Sequence, residues 1–187
     1  MRKEFFKKDT KSIEQSLVVM YLIHESPEGK TVGKIVETEA YLFNDPAAHS
    51  FRGKTQRNAP MFGKPGRAYV YFTYGMHYCF NIVTGKEGIG EAVLIRALEP
   101  IEGIGLMKKR RKQEDLSRLC NGPAKLVQAM GITKNYNNIS LVKRPLYIED
   151  KNKENFCIVR KSRIGISLAK SKLLRFYIKG NIFVSKR

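Results

Sequence analysis

Apolar and polar residues alternate over 31–42, and this alternation predicts a β-strand with two different faces. The preceding segment, 12–24, is amphipathic but contains a long apolar run, so its pattern leaves helix and strand open. Further along, 69–73 and 78–84 are both rich in strand-forming residues. The segment between them, 74–77, contains a glycine and predicts a tight β-hairpin.

A helix is predicted over 120–131 from the residues at its ends. Asn121 or Gly122 stands near the N-cap, and Pro123 occupies the first turn. Gly131 provides the C-terminal stop. The remaining predicted elements are a buried strand over 92–98 that ends at Glu99-Pro100, a cationic helix over 101–119, and strands near 145–149, 156–160 and 173–179.

Strands dominate this series and helices flank them, without the regular strand–helix alternation that is typical of a parallel sheet. The pattern predicts a single α+β domain over 1–187. We expect a curved, mainly antiparallel sheet, a protruding β-hairpin and surrounding helices. Residues 1–11 are too polar to assign and are treated as a lead that can be flexible.

The charge balance narrows the choice of partner. Thirty-five Lys and Arg residues against seventeen Asp and Glu leave a formal charge of +18. No acidic residue follows Glu154, and a KKRRK run occupies 108–112. A chance drift toward lysine would not remove every acidic residue from the C-terminal stretch. An acidic membrane surface is a second possible partner, but the sequence has neither a basic amphipathic helix nor an apolar run long enough to span a membrane. Nucleic acid is the favoured partner.

The cysteines indicate the redox environment of the protein. Cys79, Cys120 and Cys157 are odd in number and widely spaced, and no Cys or Cys/His group has the spacing of metal ligands. We expect the three thiols to be small core residues rather than nucleophiles. Since no signal peptide is recognised, we expect a reduced cytoplasmic protein of bacterial type, associated with the nucleoid.

The first predicted strand carries the strongest candidates for chemistry. A period of two places Glu37, Glu39 and Tyr41 on one face. Such a face is most often solvated; the functional alternative is a carboxylate that activates water beside a platform for base stacking. Arg96 lies in an otherwise apolar strand and therefore needs a partner, which Glu39 or Glu99 could supply.

The predicted hairpin tip carries an aromatic residue where turns are ordinarily polar. Tyr74 is followed by Gly75 and Met76. A bulky apolar side chain on a narrow tip can be inserted between base pairs, where it fills the gap left by a base rotated into a pocket. The alternative is a tip that folds back onto the core, and the residues alone leave both open.

Seven segments recur in the order of a known family: GKIVETEAY (33–41), AAHSFRGKTQRN (47–58), MFGKPGRAYVYFTYGMHYCFNI (61–82), LIRALEPIEG (94–103), LCNGPAKL (119–126), RIGI (163–166) and LRFYIKG (174–180). Together they resemble the alkyladenine (3-methylpurine) DNA glycosylase family. The resemblance runs from about residue 15 to the end of the chain. Each motif is moderately specific, but seven in register are very improbable by chance.

The resemblance implies roles for the matching residues. It implies that Glu39 is the general base that activates the attacking water. Arg96 and the main-chain carbonyl of Ile164 would complete the water site. Tyr41 and Tyr71 would hold the flipped base between their rings.

The resemblance also implies how the base and the DNA are held. His49 would close the pocket and hydrogen-bond the base edge through its backbone, and Asn81 would exclude guanine by collision with its 2-amino group. Tyr74 and Met76 would intercalate. The candidate contacts to the DNA backbone are Gly122, Lys125 and Arg163.

The implied activity is base-excision repair of alkylated or deaminated purines, such as 3-methyladenine, hypoxanthine and ethenoadenine, in double-stranded DNA. Because water rather than a lysine is the nucleophile, we expect a monofunctional, monomeric glycosylase. No metal or organic cofactor is implied.

Two other functional classes stay open on the residues alone. A non-enzymatic nucleic-acid-binding module would give Glu39 and Arg96 no function. A nuclease would normally need a cluster of carboxylate and His metal ligands, which we do not find in the sequence.

Overall fold

The computed structural model describes residues 1–73, 75–151 and 156–186. Three α-helices lie within these ranges: α1 (Thr10–Leu17), α2 (Ile104–Arg111) and α3 (Pro123–Met130). The strands are β1 (Tyr21–Ser26), β2 (Gly29–Tyr41), β3 (Ala68–Thr73), β4 (His77–Thr84), β5 (Glu91–Glu102), β6 (Leu146–Glu149), β7 (Ile158–Lys161) and β8 (Arg175–Ile178). Short 3-10 turns occupy Lys3–Lys7, Ala59–Phe62, Leu116–Arg118 and Lys134–Tyr136.

The strands form one antiparallel sheet. Its main order is β3-β4-β5-β2-β1-β6, and β8 joins it by pairing with both β2 and β7. Irregular register around Glu37 bends β2 and curls the sheet into a half-barrel. Helix α1 packs against β2, and α3 packs against β4 and β5. The predicted α+β fold with a curved antiparallel sheet is therefore confirmed.

Strand β2 lies at the centre of this arrangement. Its first half pairs with β1, its second half with β8, and β5 runs along its other edge. Helix α1 covers one of its faces, so residues from Ile35 to Ala40 are all buried. The solvated-face interpretation of Glu37 and Glu39 is therefore wrong, because both carboxylates lie inside the protein.

Two predicted segments have different boundaries in the structure. The ambiguous segment 12–24 contains the end of α1 and most of β1, separated by a break in which Val19 has a φ of 85°. Strand β5 does not end before Pro100 but continues to Glu102, because Pro100 stands at an irregularity in the register where a missing N–H is tolerated. The cationic helix predicted over 101–119 is accordingly shortened to α2.

Two expectations about burial also change. Phe6 is fully buried in the main core, so the lead 1–11 contributes a packed side chain. Cys79 and Cys120 are buried as predicted, but the prediction for Cys157 is wrong: its thiol precedes strand β7, at the edge of the sheet, and is exposed. Within the described ranges, no helix has the length and apolar character that a membrane crossing requires.

Helix α1 brings a buried carboxyl group to the back of β2. Glu14 Oε1 accepts the main-chain N–H of Ala40 at 2.8 Å, and Oε2 has no hydrogen-bond partner among the described residues. Burial raises the pKa of Glu14 to about 8, with a smaller contribution from the Glu39 carboxylate. Glu14 is therefore mostly protonated at neutral pH.

We expect Glu14→Gln to make the protein more stable at neutral and alkaline pH. An unfolded glutamate ionises near its ordinary pKa while the folded one stays protonated, so stability falls as pH rises from about 5 to the folded pKa of about 8. This loss is roughly 3 kcal/mol, and an uncharged glutamine avoids it. Urea unfolding at pH 5, 6.5 and 8 checks the prediction; equal pH slopes for both proteins would contradict it.

Candidate active site

Glu39 lies on β2 opposite Leu94 of β5, and its side chain is completely buried. Its Oε2 accepts hydrogen bonds from the Tyr41 hydroxyl at 3.0 Å and from Arg96 Nη1 at 3.2 Å. Its Oε1 accepts the main-chain N–H of Ile164 at 2.7 Å. Residues distant in the sequence thus fix the orientation of one carboxylate.

Arg96 lies between the two buried glutamates. Its Nη1 pairs with Glu39, and its Nε lies 3.6 Å from Glu37 Oε1. Glu37 also accepts Arg175 Nε at 2.6 Å and the Ser185 N–H at 2.7 Å. Glu39 is therefore confirmed as a partner of Arg96, whereas the hydrogen bonds of Glu37 are with Arg175 and Ser185 near the C-terminus.

The other candidate partner of Arg96 lies elsewhere. Glu99 forms an ion pair with Lys34 at 3.0 Å, so the suggestion that it pairs with Arg96 is wrong. The cluster of Glu37, Glu39, Arg96 and Arg175 contains equal numbers of anions and cations, which offsets part of the cost of burying them.

Burial and three hydrogen-bond donors act in opposite directions on the pKa of Glu39. Burial raises the pKa of Glu39 above its ordinary value, whereas Arg96, the Ile164 N–H and the Tyr41 hydroxyl lower it. A carboxylate has about four lone-pair sites, and the three donors above occupy three of them. Among the described residues no donor occupies the fourth position.

An aromatic cavity of about 330 Å³ opens beside this carboxylate. All three donors to Glu39 line it, and Glu39 lies directly behind them. A cavity of this volume has the size of a small-ligand site. Its lining residues are Tyr41, Ala47, His49, Met61, Tyr69, Tyr71, Thr73, Cys79, Asn81, Leu94, Arg96, Pro123, Ile164, Gly165 and Ile166.

The structure brings every predicted base-binding residue to this cavity. The His49 ring packs edge-on against Tyr71, with ring centroids 4.5 Å apart, and Tyr71 lies 5.2 Å from Tyr69. Asn81 Nδ2 donates to the Tyr69 carbonyl at 3.2 Å, which fixes the amide at the wall. Tyr41 lines the cavity while its hydroxyl is held by Glu39. Their roles toward a base stay predictions.

Asn58 is a functional candidate that sequence reasoning missed. It is buried, and its Nδ2 donates to the His49 carbonyl at 2.7 Å and to the Gly53 carbonyl at 3.0 Å. Its Oδ1 accepts the Thr55 N–H at 2.6 Å. The amide therefore fastens the His49 loop against the cavity. Its place within the QRN segment was the only available signal, since a polar loop residue gives no sign of burial.

Arg163, a predicted contact to the DNA backbone, lies behind the wall of the aromatic cavity. Its side chain is completely buried, forms an ion pair with Asp45, and donates to the Ala40 carbonyl at 2.9 Å. The guanidinium lies 4.7 Å from the centroid of the Tyr41 ring. Arg163 therefore supports one wall of the cavity from behind, and its contact with the DNA backbone stays a prediction.

The remaining candidates lie around the entrance or beyond it. Gly122 is the N-cap of α3, and Lys125 donates to the Asn121 side chain at 2.8 Å. At the β3–β4 hairpin, Gly75 has a φ of 67° and the Met76 side chain is largely exposed, so Met76 is not folded onto the core. Tyr74 lies outside the described residues. Contacts of these residues with DNA stay predictions.

Comparison with known proteins agrees with this site. A family model described as "Methylpurine-DNA glycosylase (MPG)" matches residues 4–182. Three similar proteins carry the name "Putative 3-methyladenine DNA glycosylase". Those from Methanoculleus marisnigri and Carboxydothermus hydrogenoformans are each 49% identical over 189 residues, covering 98% and 99% of this chain and 97% and 98% of the relatives. That from Francisella tularensis is 51% identical over 177 residues, covering 92% of each chain.

The matches extend over nearly the whole chain and include the strands and loops that surround the aromatic cavity. The chain therefore belongs to the methylpurine-DNA glycosylase family and is a DNA-repair glycosylase for alkylated bases.

Proposed function

We propose that the protein rotates alkylated or deaminated purines out of duplex DNA and hydrolyses their N-glycosidic bond with water activated by Glu39. The observation that carries this proposal is the buried Glu39 carboxylate, whose donors Tyr41, Arg96 and Ile164 all line the aromatic cavity. The lesions in this class are 3-methyladenine, hypoxanthine and ethenoadenine. The enzyme acts on double-stranded DNA in the bacterial cytoplasm as a monomer.

The chemistry requires a fixed anion next to the sugar of the flipped nucleotide. As the bond between the base and the anomeric carbon breaks, the base leaves with the electron pair and positive charge develops on the sugar. Glu39 stabilises this charge and accepts a proton as the water oxygen bonds to the anomeric carbon. The water would occupy the acceptor position that the three donors leave open, with the Ile164 carbonyl as a further partner.

The leaving group differs between lesions. 3-Methyladenine is cationic in DNA and leaves as a neutral base, whereas hypoxanthine and ethenoadenine need a proton. Partial burial and the nearby Arg57 cation lower the pKa of His49 below its ordinary value, which favours the neutral imidazole at pH 7. We therefore propose that His49 shapes the pocket and does not protonate the base.

The nucleophile determines what happens after excision. A glycosylase that forms a Schiff base through a lysine can also cleave the strand. Within the part of the chain that the structure describes, no lysine lines the aromatic cavity. We therefore propose a monofunctional reaction that ends with an intact strand containing one abasic site.

Asn81→Ser should admit undamaged guanine. The Asn81 amide lines the cavity and is fixed by Tyr69, so it can collide with the 2-amino group of guanine but not with the hydrogen that adenine-like bases carry there. We expect guanine release to rise about tenfold, measured as abasic sites in lesion-free duplex. Thr84→Ser on the same strand is the control; an unchanged guanine rate in Asn81→Ser would argue against collision.

One assay separates the proposed function from its alternatives. A duplex with a single hypoxanthine or ethenoadenine is incubated with the protein and EDTA, and is then treated with alkali. We expect strand scission at the lesion only after alkali. Binding without an alkali-labile site would instead indicate a non-enzymatic module, and cleavage that EDTA abolishes would indicate a nuclease.

A further inference from the structure

A second cavity lies behind the loop that donates to Glu39. It has a volume of about 410 Å³ and shares Ile164 and Gly165 with the aromatic cavity, so the two are separated by this loop. Its lining residues are Arg160, Lys161, Ser162, Arg163, Ile164, Gly165, Leu173, Arg175 and Lys186. We call it the basic cavity.

The lining of the basic cavity is strongly cationic. Among the described residues that line it, five are Lys or Arg and none is acidic. The two buried cations, Arg163 and Arg175, are paired with Asp45 and Glu37 respectively. The other three, Arg160, Lys161 and Lys186, are exposed, and none of them pairs with a carboxylate of the described residues. An excess of positive charge therefore faces solvent.

Parts of this surface are held in place before any ligand binds. Arg160 Nε donates to the Leu173 carbonyl at 2.6 Å, and its guanidinium lies 5.8 Å from the Phe176 ring centroid. The Ser162 hydroxyl offers an uncharged donor nearby. At Gly165 the backbone φ is 75°, and a Cβ would meet nothing within 4 Å, so the rim is open. A small anion could approach the loop without displacing side chains.

We propose that the basic cavity binds a DNA phosphate that flanks the flipped nucleotide. This inference rests on the proposed function, because it places the phosphate relative to a base held in the aromatic cavity. Phosphodiesters are recognised through Lys and Arg charges together with hydroxyl donors, and such contacts fix the position of the protein on the duplex. A phosphate held behind the loop would also help to keep the Ile164 N–H on Glu39.

The site is tested by removing charge from each partner in turn. The protein variant is Lys161→Gln/Lys186→Gln, which changes only exposed side chains. The control is Lys109→Gln/Lys112→Gln, which removes the same charge from the C-terminal end of helix α2. Neither of these residues is among those that line the two cavities. The substrates are hypoxanthine duplexes in which one phosphate at a time, on either side of the lesion, is a neutral methylphosphonate.

Single-turnover excision at sub-saturating enzyme is measured for all combinations. In the parent and the control, we expect one flanking methylphosphonate to slow excision about tenfold. In Lys161→Gln/Lys186→Gln, the same methylphosphonate should have less than about a twofold effect, because the contact is already lost. Equal responses in both double variants, or no sensitive flanking phosphate in the parent, would overturn the inference. Absence of excision from the unmodified duplex would instead contradict the proposed function.

Discussion

Glu39→Gln is expected to lower the rate of base excision by about 10³-fold while lesion binding stays nearly unchanged. The carboxylate lies behind the cavity wall and does not line it, so its replacement leaves the lining intact. With its amide oxygen in the place of Oε2, glutamine can still accept the hydrogen bonds from Tyr41 and Arg96, but it cannot take a proton from water. Single-turnover excision and equilibrium binding to an ethenoadenine duplex measure the two effects separately.

Glu37→Gln is the matched control for this experiment. Glu37 is equally buried and lies on the same strand, but its oxygens are engaged by Arg175 and Ser185. We expect a lower melting temperature and a loss of activity of about tenfold, because Arg96 is held less firmly. An equal loss in both variants would contradict the assignment of the base to Glu39.

Arg96→Met is expected to affect both stability and catalysis. Removal of the cation leaves the Glu39 carboxylate buried without a charged partner, which should cost roughly 3 kcal/mol of unfolding free energy. The pKa of Glu39, already raised by burial, should rise further, so that a larger share of the base is protonated than in the parent protein. We expect excision at pH 7 to fall about 10²-fold and to recover partly as the pH is raised to 9.

Lys34→Met provides the control for Arg96→Met. It removes a cation from another largely buried ion pair on β2, the one with Glu99, at a position that does not line the cavity. It should lower stability without changing the pH dependence of excision. If Arg96→Met keeps the parental rate and pH profile, Arg96 does not maintain the ionised state of Glu39.

Local patterns were sufficient to predict the elements that carry the site. Alternation over β2 placed Glu39 and Tyr41 on one face, and the structure joins them by a hydrogen bond. The end signals of α3 are also confirmed, because Gly122 is its N-cap and Gly131 ends it with a φ of 69°. These features depend on residues that are close together in the chain, so the sequence expresses them directly.

Burial and charge pairing could not be predicted in the same way. Glu37 is buried beneath residues that are far from it in the sequence. Strand β8 pairs with β2 at Glu37, and the Ser185 N–H donates to its carboxylate. Arg163 was a candidate for a phosphate contact, and its ion pair with Asp45 of a distant loop could not be read from the sequence. A local sequence pattern does not specify which long-range partner a charged side chain meets.

The most direct test of Glu39-dependent hydrolysis is the mass of the lesion strand after reaction, before any alkali is added. With the parent protein, the strand should lose its purine and gain a hydroxyl group, giving one intact abasic product together with free base. With Glu39→Gln, bound at the same occupancy, the strand should keep its starting mass. An unchanged strand with the parent, shortened strands without alkali, or full conversion by Glu39→Gln would each contradict this account.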